Sequence, residues 1–215
     1  MNQLFVKQIQ VKKAVSLAEA SYFLEKEVVT TSIQTINWKD FSYQPKVCFR
    51  MGHTQREIWL KYYVRERHLR AIETRTNGEV YKDSCVEFFI SPEGESYYNF
   101  EFSCIGTIHL AWGQGRHGRK FVDPAIIKKI DIESTLGNQP FDNKTGEFEW
   151  EMMIRIPIEC FAYSKIKNLS GLSVRANFYK CGDETPEPHY LTWNPIKTEN
   201  PDYHRPEFFG KVFFE

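Results

Sequence analysis

Apolar and polar side chains alternate at period two along most of the chain, the mark of strands with one buried face. In residues 57–65, Ile58, Leu60, Tyr62 and Val64 fall on one face, and Trp59, Lys61, Tyr63 and Arg65 on the other. In residues 147–156, Phe148, Trp150, Met152, Ile154 and Ile156 are set toward a core, and Glu147, Glu149, Glu151 and Arg155 toward water. Residues 80–102 predict a hairpin turning at Pro92, Glu93 and Gly94. Its first strand sets Val86, Phe88 and Ile90 against Cys85, Glu87 and Phe89. Its second sets Tyr98, Phe100 and Phe102 against Tyr97, Asn99, Glu101 and Ser103. One side of this hairpin is an apolar wall; the other carries two carboxylates and an amide. Further strands are expected at residues 5–11, 46–51, 105–112 after a bend at Gly106, 172–180 and 211–215. Helix signals are few. Ser16 followed by Glu19 is a capping box for a helix over 17–24, and Pro157 ends a strand before one helical turn at 158–163. Many strands, Gly and Pro turns and one or two short helices predict an all-β fold, a β-sandwich of mostly antiparallel strands. A length of 215 residues with no linker, repeat or low-complexity tract predicts a single domain over 1–215.

Charge and cysteine usage narrow the function. Lys plus Arg and Asp plus Glu number 28 each, so the basic excess of a nucleic-acid partner protein is missing. No run of roughly 18 apolar residues is present to cross a membrane as a helix. Residues 1–13 lack the continuous apolar stretch of a secretory signal. With the five widely spaced cysteines (Cys48, Cys85, Cys104, Cys160 and Cys181), this predicts reduced thiols and a cytoplasmic protein.

Several motifs fail on context. Gly113-Gln-Gly115-Arg-His-Gly118 matches the glycine spacing of a dinucleotide loop, but Pro124 follows closely and no helix is predicted after it. A surface loop is the reading. No His or Cys pair has zinc-finger or metalloprotease spacing. Residues 142–146 contain Asp, Asn and Gly, yet they lack the twelve-residue calcium-loop pattern ending in Glu. A hairpin turn before the 147–156 strand is expected there.

An ordered set of elements carries a resemblance. They are Asp83-Ser-Cys-Val-Glu87-Phe, Tyr97-Tyr-Asn-Phe-Glu-Phe102, Trp150-Glu151 with Ile156-Pro157, Arg175-Ala-Asn177-Phe, Trp193-Asn-Pro and Phe208-Phe-Gly210. Their order resembles that of family 9 carbohydrate-binding modules, within the DOMON-like sandwiches, and in particular the free-standing proteins where the module is the whole polypeptide. The likeness spans residues 45–215. It implies a sandwich whose concave face or rim binds a mono- or oligosaccharide. Two aromatic side chains clamp the sugar and polar residues bond its hydroxyls, with no cofactor required. It also implies that structural calcium is possible, although no residue of this chain is matched to it. The first clamp aromatic falls on Tyr81 and the second on Trp193, in a proline-rich loop.

The alternation supports a polar site independently. Residues 172–180 set Val174, Ala176 and Phe178 against Arg175, Asn177 and Tyr179. If the polar faces share one side of one sheet, Glu87, Asn99, Glu101, Arg175 and Asn177 converge as hydrogen-bonding groups, and Tyr81 and Trp193 supply flat faces. Arg175 beside two carboxylates is expected to keep them ionised. His189 and His204 are further loop candidates. Four other readings stay open. Glu87 and Glu101 could be the carboxyl pair of a glycoside hydrolase with a carbohydrate catabolic role. Met51, His53 and His109 could serve haem. The domain could bind a protein partner, or the Arg and Glu groups could form a buried network that only orders the sheet.

Overall fold

A computed structural model describes residues 1–215. In chain order the strands are β1 (Gln3–Gln8), β2 (Thr31–Ser32), β3 (Thr35–Ile36), β4 (Lys46–His53), β5 (Glu57–Ala71), β6 (Cys85–Ser91), β7 (Tyr97–Ser103), β8 (Ile108–Gly113), β9 (Lys120–Phe121), β10 (Asp131–Ser134), β11 (Phe141–Pro157), β12 (Ser173–Cys181), β13 (Tyr190–Thr192) and β14 (Gly210–Phe214). Helices α1 (Leu17–Glu27) and α2 (Pro124–Ile127) are the two α-helical pieces. The fold is the expected all-β sandwich.

The front sheet runs β1-β14-β12-β6-β7-β8-β9, with β13 on β12 and β3 on β13; the back sheet runs β10-β11-β5-β4-β1, with β2 on β4. β1 belongs to both. Its residues 3–6 pair in parallel with β14, and Lys7 and Gln8 pair in parallel with β4. The long β5–β11 ladder and the β6–β7 hairpin are antiparallel. The apolar wall read from the 80–102 hairpin faces the back sheet. Phe178 stacks on Phe49 at 4.0 Å and on Phe88 at 4.9 Å, joining the sheets through flat aromatic contact.

Polar groups also cross the core. Lys180 of β12 lies 2.9 Å from Glu66 of β5, and solvent reaches neither side chain. The indole N–H of Trp150 donates to the other Glu66 oxygen at 2.7 Å. His189 Nδ1 is 2.9 Å from the Glu187 carbonyl, so it must be the donor, which leaves Nε2 to accept from the Lys180 ammonium at 2.9 Å. Burial, and then the Lys180 charge, hold His189 well below the usual histidine range and therefore neutral. Lys180 also donates to the Cys181 carbonyl at 2.9 Å, so the pair rests on its mutual charge and on the bonds from Trp150, to His189 and to that carbonyl.

The capping box of α1 is present: Ser16 Oγ accepts from the Glu19 N–H, and Glu19 bonds back to the Ser16 N–H. The helix lies on the outside of the back sheet, packing Ala20 and Leu24 on Trp59 and Met153. Two expectations change. Residues 142–146 are not a turn. They belong to β11, which reaches β5 through two register shifts around them, so a bulged strand absorbs the small and polar residues. β13 was not expected at all: it is three residues long and sits between prolines.

Candidate functional site

Adjacent strands bring the polar positions of the front sheet into rows on its outer face. Tyr179, Glu87, Glu101 and His109 form one row across β12, β6, β7 and β8; Asn177, Phe89, Asn99 and Ala111 form the next. The three polar faces therefore do share one side of one sheet. A cavity of about 480 Å³ opens over part of it, inside the size range of small-molecule sites. Tyr81, Glu87, Asn99 and Glu101 all line it.

The electrostatics of this cavity are unusual. Glu87 is fully buried and directly opposite Glu101. Burial first, and then the Glu101 charge, push its carboxyl well above the usual range, while the Cys181 thiol donates to it at 3.0 Å. Asn99 donates to Glu101 Oε1 at 2.8 Å and accepts at Oδ1 from Arg119, at 2.8 Å from Nη2 and 3.1 Å from Nε. Glu101 Oε2 is buried with no partner, a costly state for a carboxylate oxygen unless a ligand meets it. Asp183 is pushed up to about 7 by burial and by the Glu101 charge. His204, bonded to the Tyr97 hydroxyl at 2.8 Å, is pushed down to about 3 by burial and by Arg119 and Arg116. Tyr81 sits on a single 3-10 turn, Val80–Lys82, and donates to Glu79 at 2.9 Å. Asp83 is structural: its oxygens accept from the N–H groups of Ile72 and Glu73 and from Arg70.

Three expected ligand residues lie elsewhere. Trp193 is buried in the core between the sheets, edge-on to Phe178 at 5.6 Å. Its ring lies where a side chain at position 210 would stand, which only glycine permits. The reason is β13: alternation along it turns Leu191 inward and Tyr190 out to the cavity, and Trp193, the residue after it, keeps the inward parity with its N–H on the Phe178 carbonyl at 2.9 Å. Asn177 is enclosed, with its amide donating to the Asn194 carbonyl at 2.9 Å and accepting from the Asn194 N–H at 2.8 Å. Arg175 is opposite Ser91 rather than Glu87, and it donates to the carbonyls of Glu207 and Phe209. It therefore does not hold Glu87 ionised. Asn177 and Arg175 fasten residues 194–209 over one half of the polar face, which leaves the other half as the cavity.

Of the two loop histidines, His204 lines the cavity and His189 is bound to Lys180 in the core. The haem candidates do not meet. Met51 is in the core and His53 lies under Phe214, whereas His109 is on the outer face of the front sheet. The glycine-rich segment 113–118 links β8 to β9 with no helix. Beyond being a loop, it brings Arg116 to the cavity wall, with Arg119 just after it. Arg116 bridges to Asp202 at 2.8 Å across the opening. The run of basic residues in that loop was the legible signal for these groups. Asp183 and Tyr190 had none.

The structure of a candidate carbohydrate-binding protein from Bacteroides uniformis ATCC 8492 is 38% identical, with a TM-score of 0.95 and 99% of each chain covered. Two structures of a family 9 carbohydrate-binding module from Caldicellulosiruptor kristjanssonii share the fold. The one in complex with glucose has TM-score 0.61 at 10% identity, covering 100% of this chain and 96% of that one. The one with cellotriose has TM-score 0.59 at 11% identity, covering 100% and 94%. A search of curated proteins by sequence gave no match. The model of carbohydrate-binding family 9 matches residues 18–214, and the chain belongs to that family.

Proposed function

We propose that the protein binds a mono- or oligosaccharide in this cavity without chemical change. Family membership and the likeness to modules solved with glucose and cellotriose support the ligand class. One observation carries the choice of site: Glu101 Oε2 is buried, unpartnered and on the wall of a cavity. A sugar hydroxyl is a donor of the right kind for it. Glu87, whose carboxyl is raised by burial and by the Glu101 charge, can in its protonated form donate to a hydroxyl oxygen, while Asn99 and Arg119 fix Glu101 in place. Tyr81 and Tyr190 supply flat faces for the C–H side of the ring. The test is calorimetric titration with a panel of mono- and oligosaccharides, repeated on Glu101→Gln. Loss of a hydrogen bond to a charged group costs roughly 1.5–3 kcal/mol, about tenfold or more in Kd. Equal affinity in the variant would remove Glu101 from the site, and silence across the panel from folded protein would remove the saccharide reading.

A second reading rests on the same carboxylates. One acid with a raised pKa opposite another carboxylate is the pairing a glycoside hydrolase needs. Product release from an aryl glycoside or oligosaccharide, abolished in Glu87→Gln with binding retained, would establish it.

A further inference from the structure

One row beyond Glu87, at the cavity floor, the front sheet carries a pair of cysteines. Cys85 of β6 and Cys181 of β12 are register partners, and Glu87 is two residues along on the same face. The two sulfurs and a Glu87 carboxylate oxygen all lie within 4.8 Å of one another. Cys181 and Glu87 line the cavity, and buried Cys85 closes the group from behind. The other cysteines show nothing comparable: the Cys104 and Cys160 thiols each meet only a backbone carbonyl, and Cys48 is half-buried apart from them.

Four-coordinate zinc takes sulfur at about 2.3 Å and carboxylate oxygen at about 2.0–2.2 Å. Tetrahedral angles then put the ligand atoms roughly 3.5–3.8 Å apart. The three atoms present, all within 4.8 Å of one another, bracket that spacing. Adjacent strands hold the ligands, so the site needs no loop to fold around the ion. Two thiolates and a carboxylate around a dication leave one net negative charge. Burial raises the Cys85 and Cys181 thiols and the Glu87 carboxyl, and the charges of Lys180, on Cys85, and Arg116, on Glu87, act against it. Sulfur donors select zinc-class ions over calcium or magnesium, which prefer oxygen.

We propose that Cys85, Cys181 and Glu87 form a three-ligand site for a thiophilic divalent cation of the zinc class, with the fourth position open to the cavity. An open position is what separates a site that engages a ligand or water from a closed structural one. The site stands without the saccharide reading, although it shares Glu87 with it.

The test is titration of chelator-treated, reduced protein with Co²⁺, followed by absorbance. A thiolate-to-cobalt charge-transfer band that saturates at one equivalent and is displaced by Zn²⁺ is expected. The band should be lost in Cys85→Ser and in Cys181→Ser and kept in Cys104→Ser. No band from folded protein, or a band that survives both substitutions, would overturn the proposal. X-ray absorption at the zinc edge on the wild-type protein covers the case of variants that do not fold. Two sulfur scatterers at about 2.3 Å support the site, and only nitrogen and oxygen scatterers refute it. Saccharide titration of the metal-free protein is read separately, so either idea can fail alone.

Discussion

Asp183 gives the cavity a measurable electrostatic cost. Its carboxyl rises from 3.8 to about 7 through burial and the facing Glu101 charge, with Glu184 adding and Arg116 opposing. In the unfolded chain the group is ionised above pH 5, while in the folded protein it stays protonated until pH 7. The folded state thus binds more protons through that window, and this contribution to stability falls as pH rises through 7. At about 1.4 kcal/mol per pH unit, nearly two units of differential protonation lie between pH 5 and 8, or about 3 kcal/mol. Solvent at the exposed edge of the carboxyl trims that figure. His204 acts in the opposite sense. Its pKa falls to about 3 on folding, so its contribution is lost as pH falls below the unfolded histidine value. Glu87, also raised, has the sign of Asp183. The wild-type profile is therefore a partial cancellation, and the difference between wild type and Asp183→Asn reports Asp183 together with the lift its charge gives Glu87. Urea unfolding followed by circular dichroism at pH 5 and pH 8 is the assay. The variant should gain up to about 3 kcal/mol over wild type between the two pH values. Parallel profiles for the two proteins would refute the placement of Asp183 in a buried acidic field.

Three more outcomes follow from the geometry. Trp193→Ala should lower unfolding free energy by about 3–5 kcal/mol and leave saccharide affinity unchanged in the folded protein; lost affinity at intact stability would return Trp193 to the site. Lys180→Met strands Glu66 between the sheets and should cost about 3–5 kcal/mol in urea unfolding, and a change below about 1 kcal/mol would show that the pair does not hold the core. Arg175→Ala should loosen residues 207–209, seen as faster amide exchange of the segments it holds, because two carbonyls lose their donor. Unchanged exchange there would refute its role as a fastener.

Alternation made the sheet legible because it is the one pattern that burial of a single face imposes directly. It assigned Glu87, Asn99 and Glu101 to one side, and the ladder brought them together. It could not say which stretch of that side would stay open. Arg175 and Asn177 have the right parity but lie under residues 194–209, a covering set by non-local contacts. Trp193 differs for a local reason: prolines around it suggest a loop, while the three-residue strand just before it sets its parity inward. The same strand hid Tyr190. Asp183 carries no pattern, since its pKa arises from neighbours distant in sequence.

The split pairing of β1 also bears on how the chain folds. The strand nearest the start of the sequence takes one neighbour, β14, from near its end, and the last backbone N–H, that of Glu215, donates to Val6. Contacts between such distant segments are slow to form, because the intervening chain must be confined before they give any return. During synthesis the first strand can bind β4 early through Lys7 and Gln8, but its upper half waits for β14. The seam between the two sheets is then the last part of the sandwich to close.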